Sequence, residues 1–118
     1  MAAKRLSMKH AKLLRQHRYI LEKLATTNKK DRQTILKNAP SDLFKVLNLV
    51  FKLLNEKNLD LSQRQNRAIS KHKRLIRSAS GLKGTQIKEK LVKQRGGALS
   101  TILSAVLPVL GGLIQSIL

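Results

Sequence analysis

The chain has 118 residues, with 25 Lys and Arg against 6 Asp and Glu, and a formal net charge of +19. That length accommodates one small core and excludes a multidomain enzyme with an elaborate active site. The absence of cysteine excludes disulfides and thiolate metal sites, and with two Phe, one Tyr and no Trp there is little aromatic surface for stacking bases.

Residues 1–40 hold 11 basic residues and 2 acids. The first 18 residues are basic throughout and lack an apolar run, so no secretory signal is expected. Leu6, His10, Leu13, His17, Ile20 and Leu24 recur at intervals of three and four. This spacing predicts one face of an amphipathic helix, with Lys9, Lys12, Arg15 and Arg18 on its flanks and back. Thr26, Thr27 and Asn28 interrupt it and offer an N-cap to a short helix over 29–39, with Asp31 in the first turn, where the helix dipole favours an acid.

Pro40 ends that helix, and Ser41 and Asp42 start the next. From Leu43 to Leu54 only Lys45 and Asn48 with Lys52, followed by Asn55, form a polar stripe. A helix so apolar on its other sides is expected at the centre of the core. Residues 41–60 are charge-neutral, with three bases and three acids. Asn58 is a candidate left-handed stop, and Ser62 with Gln65 reads as a capping box. The helix that follows turns Leu61, Ala68, Ile69, His72, Leu75, Ile76 and Ala79 inward and presents Arg64, Arg67, Lys71 and Arg74 outward. After a loop over 78–84, Thr85 is expected to cap a last basic helix through Lys93 that ends at Gly96 and Gly97.

The expected fold is therefore all-α. It comprises a basic helix over 1–28, a bundle of about three core helices over 29–80, and a basic linker or helix over 81–97. A separate hydrophobic helix over 98–118 follows, kinked at Pro108.

Residues 61–95 carry 11 basic residues and one acid. An excess of this size draws a protein to polyanions, and nucleic acid is the commonest of these. The candidate phosphate-binding residues are Arg64, Arg67, Lys71, Lys73, Arg74 and Arg77, continued by Lys83, Lys88, Lys90, Lys93 and Arg95, together with Lys9, Lys12, Arg15 and Arg18. Phosphate contacts carry no sequence information, and no constellation for reading base edges stands out. No catalytic triad, phosphate loop or carboxylate pair can be assembled, so neither enzymatic activity nor a cofactor is expected. His10 and His17 share a face but lie about 10 Å apart along a helix, too far to share a metal ion.

Residues 96–118 are uncharged over 23 positions, enough to span a bilayer at about 20 residues. Leu99, Ile102, Leu103, Val106, Leu110, Leu113, Ile114 and Ile117 form a broad apolar surface. Ser100, Ser104, Pro108, Gly111 and Gln115 form a narrow stripe of small or polar residues. A membrane-active tail is expected, with the basic run over 83–95 facing anionic headgroups.

The run Lys93, Gln94, Arg95, Gly96, Gly97, Ala98, followed by this tail, resembles the precursor of the adenovirus core peptide mu, or protein X. It is also similar to small basic proteins of adintoviruses and polintons. The resemblance covers residues 83–118 and implies condensation of DNA in a virion core. It further implies cleavage between Gly97 and Ala98 by a viral cysteine protease, with Gln94 standing where the family site has an aliphatic residue. The expected function is sequence-independent, non-enzymatic nucleic-acid binding, DNA rather than RNA, in a virion core or host nucleus. The alternatives are a membrane-associated protein, C-terminally anchored or pore-forming, whose basic face binds anionic lipid, and an RNA-binding protein.

Overall fold

A computed structural model describes residues 8–57, 59–82, 84–93 and 98–117. Among them the backbone forms eight helices and no strand. In chain order these are α1 (Met8–Gln16), α2 (Arg18–Thr26), α3 (Lys29–Asn38), α4 (Ser41–Asn55), α5 (Gln63–Ser70), α6 (Lys73–Ser80), α7 (Gly84–Lys93) and α8 (Ala98–Ile117).

The basic N-terminal helix is two helices, broken at His17, whose φ of −104° and ψ of 7° lie in the bridge region. The face they bury is rotated from the expected one. Ala11, Leu14, Leu21, Leu24 and Ala25 are buried, Leu13 and Ile20 are half-buried, and His10 is exposed. The rotation follows from two neighbours: α1 packs against both α4 and α8, and α2 packs against α8. Leu6 lies outside the described residues.

The local signals between 28 and 65 hold closely. The Asn28 side chain accepts the Asp31 N–H at 2.9 Å and starts α3. Pro40 takes the cap position of α4, one residue earlier than expected. In α4, Leu43, Phe44, Val46, Leu47, Val50, Phe51, Leu53 and Leu54 are buried. The left-handed residue after it is Lys57, with φ 56°, while Asn58 lies outside the described residues. The capping box is complete: the Gln65 N–H donates to Ser62 Oγ at 3.1 Å and the Ser62 N–H to Gln65 Oε1 at 2.8 Å. The single helix expected from there to Ala79 is interrupted at Lys71 and His72, where the His72 N–H reaches back only three residues, to the Ile69 carbonyl. Helix α7 begins at Gly84, so Thr85 stands inside it rather than at its cap.

Two helices organise the core. Helix α4 carries α6 and α7, and α8 carries α2 and α5, while α3 bridges α2 and α7. The expectation of a separate C-terminal helix is corrected here. Leu99, Ile102, Leu103, Val106, Leu110 and Ile114 of α8 are buried in the same cluster as the α4 side chains. Each such burial contributes roughly 1.5–3 kcal/mol. The Cα radius of gyration, 13.2 Å, matches the roughly 13 Å of a compact chain of this length. The physical reason is that the apolar face of α1 and α2 needs a cover. Helices α3 and α4 cover part of it, and α8 covers the rest.

Three polar ties close helix ends within this core. At the end of α2, Ser100 Oγ donates to the Ala25 carbonyl at 2.6 Å. The buried Arg32 donates to the Leu24 and Thr27 carbonyls at 3.3 and 3.1 Å. At the end of α6, Asn48 Nδ2 donates to the carbonyls of Leu82 at 2.8 Å and of Ala79 and Ser80 at 3.3 Å. Those of Leu24, Ala25, Ala79 and Ser80 are among the carbonyls that helix termini leave without intrahelical partners.

Candidate nucleic-acid interface

The basic side chains are held outward because the apolar side chains beside them are held inward. Ile69 of α5 is buried where that helix lies against α8, and Ile76 and Ala79 of α6 are buried where it lies against α4. At helical spacing this leaves Arg64, Arg67, Lys71, Lys73, Arg74 and Arg77 exposed along one continuous pair of short helices. Lys9, Lys12, Arg15 and Arg18 are exposed on α1 and the start of α2, and Arg18 Nε donates to Glu22 at 3.2 Å.

Helix α7 is mixed. Lys93 is exposed, whereas Lys88 and Lys90 are half-buried. The Lys88 ammonium lies 5.8 Å from the centre of the Phe44 ring, so part of its charge faces an aromatic side chain of the core. Lys83, Arg95, Gly96 and Gly97 lie outside the described residues. Ala98 opens α8 and is buried, as are Leu99, Ile102, Leu103, Val106, Leu110 and Ile114 among the predicted membrane-facing residues. Leu113 is half-buried, and the side chain of Ile117 is outside the description.

The tertiary structure also gathers cations that the sequence keeps apart. A cleft of about 890 Å³ between α1, α4 and the turn after α6 brings Lys9 and Lys12 together with Lys45 and Lys52. A second, of about 670 Å³, brings Lys57 to Lys73 and Arg77. A third sets Lys29 beside Lys93. Lys29, Lys45, Lys52 and Lys57 were not among the sequence candidates. The i, i+7 placement of Lys45 and Lys52 on one stripe was the available signal, hidden by the neutral sum of residues 41–60.

Of the 21 Lys and Arg that are described, 18 are exposed, two are half-buried and only Arg32 is buried. Even if every one of the 6 acids were paired with one cation, 19 positive charges would remain without an internal counter-charge. Among the described residues, the close ion pairs Arg18 with Glu22 and Lys45 with Asp42 are each between neighbours on one helix turn. Among the described residues no three of His, Asp and Glu converge as a metal site would require. His17 Nδ1 donates to the Leu13 carbonyl of α1 at 2.9 Å. Comparison with protein-family models, curated proteins and solved structures finds no match to this chain.

Proposed function

We propose that this protein binds nucleic acid through its phosphates, without reading base sequence and without catalysing a reaction, and that it compacts DNA. The supporting observation is the display of 18 exposed cations over α1 to α7, with six acids available to balance them. Such a surface meets a polyanion from several sides, which suits condensation better than docking at one site. The resemblance at residues 93–98 is what suggests a virion core or host nucleus, with DNA preferred to RNA. It adds cleavage by a viral cysteine protease at the Gly97–Ala98 bond, immediately before α8.

The test is anisotropy titration of the full chain with two duplexes of unrelated sequence. Their affinities should agree within about threefold. Both should fall by about 10³-fold or more between 50 and 200 mM salt, as for proteins that contact six or more phosphates. Arg64→Glu with Arg67→Glu and Arg74→Glu should weaken both equally. Salt-independent binding, or strong preference for one duplex, refutes the reading.

A second reading concerns α8. Its window Ala98–Gln115 has mean hydropathy 1.8 and is 44% buried in the bundle. On this reading α8 undocks from α1, α2 and α5 and enters a bilayer, while the basic faces hold anionic lipid. Leakage of dye from anionic vesicles tests it. A variant with Leu103→Lys should lose leakage, and a chain that never causes leakage removes this reading.

A further inference from the structure

The cleft between α1 and α4 differs from the other basic surfaces in having an apolar floor. Leu13 of α1, Leu49 of α4 and Leu82 after α6 line it and are each half-buried, so part of each faces the cleft. The walls carry exposed lysines on both sides: Lys9 and Lys12 from α1, Lys45 and Lys52 from α4. One acid, Asp42, lies at the α4 start and meets Lys45 at 3.7 Å. The floor is fixed in place, because the Asn48 amide ties α4 to the turn that carries Leu82.

A DNA backbone has use for the lysines but none for three leucines. The combination instead matches an amphipathic helix whose apolar stripe meets the floor and whose flanks are acidic. Size agrees. At 10–12 Å across and 5.4 Å per turn, a helix fills the cleft's volume of about 890 Å³ with roughly one and a half to two turns. Lys45 and Lys52 are themselves two turns apart, about 10 Å along α4. From these features we infer that the cleft docks an acidic amphipathic helix of a partner protein. The inference goes beyond nucleic-acid binding and does not rest on it.

The experiment uses the full chain, freed of nucleic acid, and a fluorescein-labelled synthetic peptide of about 18 residues, five helical turns. The peptide carries leucines at i, i+3, i+4 and i+7 and glutamates on both flanks. A permuted peptide of the same composition without helical period, a duplex DNA and anionic vesicles are the comparison ligands. The ordered peptide should bind at least about tenfold tighter than the permuted one, a difference of about 1.4 kcal/mol. Leu13→Ala with Leu49→Ala should remove that preference and leave DNA affinity within about twofold. Lys45→Glu with Lys52→Glu, at exposed positions that do not threaten folding, should abolish peptide binding with the circular dichroism spectrum unchanged. Equal affinity for the two peptides overturns the inference, as does indifference of peptide binding to K45E/K52E. Vesicle binding that needs the two leucines, in a chain that ignores the peptide, overturns it in favour of lipid. Loss of DNA binding alone would refute only the nucleic-acid reading.

Discussion

The amide of Asn48 donates to three carbonyls at the end of α6 and in the turn after it. Asn48→Ala leaves part-buried acceptors without this partner and should cost about 1–3 kcal/mol in urea unfolding. Asn48→Asp should cost more, because a carboxylate offers those carbonyls no proton. Arg32 is the counterpart at the end of α2, where a cation also complements the helix dipole. Arg32→Met should lower stability by about 1.5–3 kcal/mol, the range for bonds to charged groups, and leave DNA affinity nearly unchanged because the side chain is buried. Neither role was legible in the sequence. Asn28 and Ser62 were legible because their partners sit three residues away, whereas the carbonyls that Asn48 reaches lie 31 to 34 residues away. Exposure of the basic residues of α1, α5 and α6 was legible for a related reason: it depends only on the helical period of the apolar residues beside them.

At the scale of elements, α4 was readable as a core helix because it is apolar on most of its circumference. Helix α8 was expected as a separate membrane-active tail, because its length and lack of charge fit a bilayer, but the same features fit a protein interior. What decides between them is whether another element leaves an apolar face uncovered, and α2 does. Leu103, fully buried on α8, tests this placement. Leu103→Ala should destabilise the whole chain by about 2–5 kcal/mol, a large share of the roughly 5–15 kcal/mol that holds a small domain. Unfolding of that variant at the wild-type midpoint would mean that α8 is not part of the core. The breaks at His17 and at Lys71 with His72 were also invisible, since the apolar period runs through both without a glycine or proline. At Lys71 and His72 the two halves serve different neighbours: α5 meets α8, and α6 meets α4.

For the molecule as a whole, charge and size together set the response to salt. The principal extents are 39, 28 and 24 Å, comparable with the screening length of about 30 Å at 0.01 M ionic strength. In dilute buffer nearly every cation therefore repels every other, and at physiological ionic strength, with a length of about 8 Å, only neighbours do. Raising sodium chloride from 10 to 150 mM should lift the Tm of the free protein by about 5 °C or more, equivalent to roughly 1 kcal/mol in a chain of this size. The same change should weaken DNA binding, so the two curves run in opposite directions. A Tm that falls with salt would show that attraction, not repulsion, dominates the surface.

Gly111 and Gly112 sit inside α8 where nothing demands them. A methyl group on Gly111 would meet only the Arg18 guanidinium, at 3.6 Å, and one on Gly112 would meet nothing within 4 Å. Alanine there would strengthen the helix by about 0.5–1 kcal/mol per site. The chain thus keeps a soft joint near its C-terminal end that its own geometry does not require. Amide hydrogens beyond Gly111 should exchange with solvent ahead of those between Leu99 and Val106, and Gly112→Ala should slow that exchange.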